Sequence, residues 1–447
     1  SPRTQPRARS PFSTGLQWGR ATAEKCYIYI SNKLRHVIPV GVGVGSDFLE
    51  CNENGADGAA LRGLSVVEFS HMVMGPSIGA ILAGLGAEVT KIEPVGGDST
   101  RRLLGSGAGY FPMFNRDKRS LCLNLKTEEG QALARRLTAR ADIVLENFRP
   151  GAMDALGLGY DALIKENPGL IYCSAKGFLS GPYEHRAALD EVAQMMGGLA
   201  YMTGPPGRPL RAGASIVDIT GGMFGVIAIL AALEQRHRTG RGQLVKCSLF
   251  ETTAFLVGQH MAQYAVTGQA ANPMPVRVSA WAIYDVFETA EGEQVFVGVV
   301  SDAQWAAFCK AFALADLESD PDLATNNRRV AARETLLPRI RALFKAMSKA
   351  DLLAKAEAIG LPFAPITRPQ DLFEDAHLRA SGALAEVHLS QGGQTHLPAL
   401  PIEMSASSRG AAAQVVPAPG AHSHEVLKSL GLSPRDIQDL ISAGVAA

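Results

Sequence analysis

A repeated alternation of short apolar runs with longer helix-patterned stretches, starting near Leu64, constrains this chain more than any other feature. Residues 64–70 form a run suited to a strand buried on both faces. Residues 75–86 open with helix-start chemistry and close at Gly86, and residues 87–93 read as a second strand. A strand–helix–strand unit of this length requires a parallel neighbour and a right-handed crossover. The pattern repeats as a helix over 127–141, a strand over 142–146, a short helix over 160–166 and a strand over 170–174. A long apolar helix over 220–237, stopped by Thr239-Gly-Arg-Gly242, leads to a strand over 243–249 and a helix over 251–266. This alternation predicts the α/β class, with a large doubly wound, Rossmann-like open sheet over residues 58–272.

The character changes at Pro273. Residues 281–286 and 293–300 read as a hairpin, and helices are expected over 303–312 and 334–347, so residues 273–369 are expected to form a smaller α+β domain. Residues 370–447 are expected to return to the large domain and complete it. Residues 1–57 differ from all that follows: Arg3, Arg7, Arg9 and Arg20 lie among Ser, Thr and Pro in an acid-poor stretch. This segment reads as a basic leader or an appended tag, poorly ordered in either case.

With 447 residues, 47% of them hydrophobic and 19% charged, the chain has material for two or three packed domains. Lys plus Arg balances Asp plus Glu, 43 against 43, so no global field favours nucleic acid or an anionic membrane. The longest apolar run, residues 223–233, falls short of the roughly 18 residues of a membrane span. Cys26, Cys51, Cys122, Cys173, Cys247 and Cys309 are scattered without a CxxC pair or zinc-ligand spacing. A reduced cytoplasmic setting without a metal is expected, or the mitochondrial matrix if residues 1–57 are a leader.

The first strand–helix turn invites a nicotinamide reading, because Glu93 stands where an acid would take a ribose hydroxyl. The glycines argue against it: Gly75-Pro76 followed by Gly79 is not G-x-G-x-x-G, and Pro76 removes a backbone donor. What survives is a helix N-terminus facing an anion or a ligand edge. Arg116, Lys118, Arg119 and Lys126 crowd residues 115–126, which read either as a solvated surface strand or as a clamp for a phosphorylated cofactor. Glu146-Asn-Phe-Arg-Pro-Gly-Ala152 follows a strand end, where open sheets place ligands, and offers Asn147 for hydrogen bonding and Phe148 for stacking.

Asp218, in Ala214-Ser-Ile-Val-Asp-Ile-Thr-Gly-Gly222, stands just before the long helix. It reads as an N-cap, or as a carboxylate nucleophile that the helix N-terminus keeps ionised. Gly221 and Gly222 would let a substrate approach the backbone. Asp190 and Glu191 read as first-turn acids or as a catalytic pair. His71, His185, His422 and His424 have no nucleophile motif beside them and read as packing or surface residues.

Together these segments resemble the family III CoA-transferases, the group that contains formyl-CoA:oxalate and carnitine CoA-transferases and is related to α-methylacyl-CoA racemase. The resemblance runs from about Leu61 to the C-terminus. Its carriers are Leu61-Arg-Gly-Leu-Ser-Val-Val-Glu-Phe69, Gly75-Pro76, Leu85-Gly-Ala-Glu-Val-Thr-Lys-Ile-Glu93, residues 115–126, the Glu146 to Ala152 motif, Asp218 with its glycines, and Thr239-Gly-Arg-Gly-Gln243. The resemblance implies an interlocked homodimer with coenzyme A as its sole cofactor. It implies that Asp218 is the nucleophile and carries an aspartyl-CoA thioester. It also implies CoA contacts from Val73, Met74, Leu123, Lys126, Asn147, Phe148 and Ala152.

The chain departs from the family pattern in places. A cation expected after the strand-ending acid is Pro94, so Arg101 or Arg102 is expected to meet the CoA phosphates. A second family arginine position is Ala155, and the glycine-rich closing loop has no match near residues 273–280. The related racemases place a proton-shuttling His immediately before the acid that aligns with Asp190. This chain has Leu189 there, which disfavours racemisation. Arg149, Arg208 and Arg211 point to a small dicarboxylic acceptor, with succinyl-CoA as donor. An acyl-CoA racemase, an NAD-dependent dehydrogenase and an inactive CoA-binding protein stay open as other readings.

Overall fold

A computed structural model describes residues 58–277, 279–407 and 413–447, so the leader or tag expected over 1–57 lies outside the described residues. Short strands rich in Val, Ile and Leu build the main sheet. They are β1 (Ser65–Phe69), β2 (Glu88–Glu93), β3 (Arg119–Cys122), β4 (Ile143–Glu146), β5 (Ile171–Lys176) and β6 (Leu244–Ser248). All neighbours pair in parallel, in the order β3-β2-β1-β4-β5-β6. Between them run α1 (Met74–Gly84), α2 (Tyr110–Asn115), α3 (Glu128–Thr138), α4 (Ala152–Ala155), α5 (Tyr160–Glu166), α6 (Asp190–Met196), α7 (Leu199–Thr203) and α8 (Ile216–Thr239).

Side chains alternate across the pleat. Val66, Ile143, Leu145, Ile171 and Cys173 pack with Ile78 and Leu82 of α1 and with Val226 and Ile229 of α8. Val67, Phe69, Val144 and Tyr172 pack on the opposite face with Leu133 of α3, Leu163 of α5 and Val426, Leu427, Leu430 and Ile437. Both faces of a parallel sheet must be covered, and here they are. The expected α/β class with a doubly wound sheet is what the chain adopts. The segment after residue 420 also reaches the sheet edge: His422 N–H donates to the Ser120 carbonyl at 3.0 Å, and Asn124 N–H donates to Val445 at 2.8 Å.

Two smaller sheets follow. β7 (Tyr284–Glu288), β8 (Gln294–Gly298) and β9 (Phe363–Pro365) pair antiparallel over a core that includes Phe287, Trp305, Phe308 and Phe344. β10 (Leu384–His388), β11 (Gln394–Pro398) and β12 (Ala413–Val415) form a third sheet, for which the sequence gives no expectation. The helix expected over 251–266 is two helices, α9 (Leu249–Leu256) and α10 (Gly258–Thr267), broken at Val257.

By length and composition α8 could cross a membrane, a match the apolar run 223–233 understated because the helix is 24 residues long. One of its faces is built into the sheet layer, and glycines make this possible. A Cβ at Gly222 would lie 2.1 Å from Ser77 Oγ, and one at Gly225 would lie 2.7 Å from Ile78 Cδ1, both on α1. Gly221 and Gly222 therefore serve helix–helix approach, which corrects the expectation that they open the backbone to substrate. The matching register, 222 to 225 against 77 to 78, makes α1 and α8 run parallel with their N-termini at one end.

Candidate active site

The strand order reverses between β1 and β4, and at such a switch point open sheets hold ligands outside the carboxyl ends of the strands. Two loops meet there, one linking β1 to α1 and one leaving β4. Asn147 joins them: its Oδ1 accepts from His71 N–H at 3.0 Å, and its Nδ2 donates to the His71 carbonyl at 2.9 Å. The His71 and Phe148 rings lie 5.8 Å apart. Lys176 at the end of β5 donates to Glu146 at 2.7 Å and to the Phe148 carbonyl at 2.6 Å, tying the second loop from the other side. Both ends of the Asn147 amide are thus engaged within the protein.

Val73 and Met74 are buried at the start of α1, where Val73 caps the helix without a side-chain bond. What they present to a ligand is the backbone of a helix's first turn. Leu123 is buried just past β3 and bridges to Ala446, while Lys126 is exposed a few residues on. Ala152 opens α4 and is half-buried. From β3 across β2 and β1 to β4 these positions spread over roughly 15 Å, three strand spacings. Only an extended ligand could reach all of them.

Asp218 lies on the α8 side of the sheet. From the sequence the helix is expected to start at Thr220 with Asp218 as its cap. The helix begins instead at Ile216, and its cap comes from elsewhere: Asp190 Oδ2 accepts from the N–H of Val217 at 2.9 Å and of Asp218 at 3.1 Å. An acceptor supplied by a distant helix lets α8 start a turn earlier than its local residues indicate. Asp190 also accepts from Gln194 at 2.6 Å and pairs with Arg211 at 3.5 Å, and Gln194 accepts from Ala212 N–H at 2.8 Å. Helix α6 thereby pins the loop that leads into Asp218.

Burial pushes the Asp218 carboxyl up to about 7; the nearby Asp190 charge adds to the rise and Arg211 opposes it. Burial and the Asp190 charge work against the expected pull of the helix N-terminus on Asp218. The first amides of α8 already point at the Asp190 carboxylate, and the two acids repel.

These features place a half-buried carboxyl of raised basicity at a helix start, at the same end of the layer as the turn into α1. The model of CoA-transferase family III matches residues 61–423. The chain belongs to CoA-transferase family III. It is 32% identical to the succinyl-CoA:glutarate CoA-transferase of Mus musculus, over 86% of this chain and 90% of that one. It is 36% identical to the acetyl-CoA:oxalate CoA-transferase of Acetobacter aceti, over 77% and 88%. A solved CAIB/BAIF family protein from Brucella suis, 35% identical, superposes with a TM-score of 0.73 over 83% of this chain and 99% of that one.

In this CoA-transferase several cations named from the sequence are already committed. Arg101 forks onto Glu93 at 2.7 and 2.6 Å, donates to the Pro417 carbonyl and lies 3.7 Å over the Phe111 ring. Glu93 accepts as well from Ser120 Oγ at 2.6 Å and Asp98 N–H at 2.8 Å, which leaves it little to offer a ribose. Of the two arginines expected at the phosphates, the exposed Arg102 keeps the freer guanidinium, with one bond to the Gly96 carbonyl. Arg211 is taken up by Asp190 and by the carbonyls of Ala212 and Ala214. Arg149 and Arg208 are exposed and have no ionic partner among the described residues. The middle of the 115–126 stretch is neither a solvated strand nor a clamp, because Lys118 is buried and bonded to Glu68. Burial pushes Lys118 down to about 8 against the pull of Glu68.

Proposed function

We propose that this enzyme moves CoA between an acyl-CoA donor, succinyl-CoA foremost, and a small dicarboxylic acid through an aspartyl-CoA thioester on Asp218. The observation that carries the reading is Asp218 itself, half-buried beside Asp190 and raised to about 7. A carboxylate of that basicity is a better nucleophile than an ordinary one, and near neutral pH a large fraction is ionised. Arg149 and Arg208 are the free cations for the far carboxylate of the acceptor, and the roughly 15 Å run of loop positions suits a ligand as long as CoA.

The chemistry balances in four steps. The Asp218 carboxylate attacks the donor thioester carbonyl and expels CoA thiolate, leaving a mixed anhydride. The thiolate then attacks the Asp218 carbonyl, releasing the donor acid and forming the aspartyl thioester. The acceptor carboxylate attacks that thioester and expels the thiolate again. Finally the thiolate attacks the acceptor acyl carbonyl, giving the new acyl-CoA and a free Asp218 carboxylate. Each step exchanges activated acyl groups of similar energy, so the protein's task is alignment and exclusion of water.

Incubation with succinyl-CoA followed by hydroxylamine, and mass mapping of the peptides, is expected to mark Asp218. The trapped yield is expected to rise with pH through a midpoint near 7 and to level off about one unit above it, because only the ionised carboxyl attacks. Modification of another residue, or none, would remove the thioester reading.

The interlocked dimer expected from the resemblance is part of the same proposal. Met223 and Ile227 on α8, Phe255 on α9, and Met261, Tyr264 and Val266 on α10 are all exposed, and Val266 reaches 85%. Exposed apolar side chains on three successive helices are what an interface would cover. Light scattering is expected to return twice the 47.3 kDa chain mass, and a 47.3 kDa species alone would contradict it.

A further inference from the structure

Four buried charged side chains to which the sequence reading gave no shared role meet beside α1. Glu68 on β1, Lys91 on β2, Asp98 and Lys118 have side chains no more than 5% exposed. Lys118 Nζ stands 2.8 Å from Glu68 Oε2, and Lys91 Nζ stands 3.6 Å from Glu68 Oε1 and 3.2 Å from Asp98 Oδ2. Two cations facing two anions leave the cluster neutral, the condition for keeping ions in a dry interior.

The hydrogen bonds of this cluster converge on the backbone around one turn. Lys91 donates to the Ser70 carbonyl at 2.6 Å. Asp98 accepts from Thr100 N–H at 2.9 Å, and Thr100 Oγ1 in turn accepts from Met72 N–H at 3.2 Å. Lys118 donates to the Pro76 carbonyl at 2.9 Å. Ser70 and Pro76 bracket the turn from β1 into α1, and Met72 inside it has φ 63, a left-handed conformation uncommon for a residue with a side chain. Such a conformation persists only where its surroundings impose it, and here the imposing groups are identifiable.

We propose that the Glu68–Lys91–Asp98–Lys118 tetrad is a positioning device for the acyl-CoA substrate, holding the turn at Met72 so that the start of α1 meets the thioester. Lys91 and Thr100 are its positioning residues and touch no substrate themselves. Ion pairs buried for stability alone are replaceable by packed apolar groups, whereas this set holds the Ser70 carbonyl, Met72 N–H through Thr100, and the Pro76 carbonyl in the first turn of α1. The proposal rests on the reading that this turn contacts CoA.

Two variants of the full-length enzyme test it, with melting curves to separate folding from alignment. Thr100→Val keeps shape and the ion pairs but deletes the acceptor for Met72 N–H. The KM for succinyl-CoA is expected to rise roughly five- to ten-fold, the worth of one hydrogen bond, while kcat stays within about two-fold. Lys91→Met, which also removes the Ser70 bond, is expected to raise KM further. An unchanged KM in a Thr100→Val enzyme that melts like wild type overturns the proposal. Wild-type enzyme is titrated calorimetrically with CoA alongside. No binding there would remove the CoA reading and this proposal together, whereas normal binding with an unchanged variant KM removes the proposal alone.

Discussion

Asp218→Ala is expected to lower CoA transfer by at least about 10⁴-fold while leaving the affinity for CoA within roughly three-fold, because a covalent nucleophile acts on the chemistry and not on ground-state binding. The substitution leaves the cap of α8 intact, since that cap is the Asp190 carboxylate receiving the amides of Val217 and residue 218. It should also raise the melting temperature above pH 7. A carboxyl whose folded pKa is lifted from 3.8 to about 7 weakens the fold progressively as pH rises through that window and fully above it, and alanine removes that burden. Loss of turnover with gained stability is the signature of a site strained for function. A variant that still transferred CoA within ten-fold of wild type would leave Asp218 without a covalent role.

Gly79→Ala carries the second large effect, and its sign opposes the ordinary rule. Replacing glycine by alanine inside a helix usually stabilises by about 1 kcal/mol. Here the new Cβ would lie 1.8 Å from Glu68 Oε2 and 2.9 Å from Lys118 Nζ. Neither group has anywhere to go, as both side chains are fully buried and paired with each other. The carboxylate must move off its lysine, and separating one partner of a buried pair costs about 3–5 kcal/mol. Urea unfolding followed by circular dichroism should show a clear fall in midpoint. A midpoint equal to or above wild type would mean that α1 can lift from the sheet without loss.

The sheet was readable in the sequence because parallel strands are covered on both sides and show as unbroken apolar runs such as Val66-Val67 and Ile143 to Leu145. Helix α5 was legible to its ends, and Asp218 was singled out from its place before a long apolar helix. The missing parts are all long-range. Asp190 caps α8 from 27 and 28 residues away, and Lys118 reaches Glu68 across 50. No local window contains both halves of such a contact. A signal for the tetrad was nonetheless present, since Glu68 and Lys91 stand next to apolar residues in strands read as buried, and a charge in a two-faced buried strand must have a partner. Strands β10 to β12 went unseen because their half-buried alternation is short and lies among loops. Arg101 and Arg211 looked like ligand cations, and only three dimensions show that their donors are already taken.

One feature of the sheet edge bears on how the chain acquires its shape. β3 is sealed by residues past 420, with Cys122 N–H donating to Ser423 Oγ across 301 positions and Ala446 bridging to Leu123. A ribosome therefore has to release almost the whole polypeptide before this margin finds its cover. Until then β3 offers unpaired amides and carbonyls to any passing strand. Closure over such a separation is slow, so nascent chains should lean on chaperones during synthesis more than the compact βα core alone would suggest.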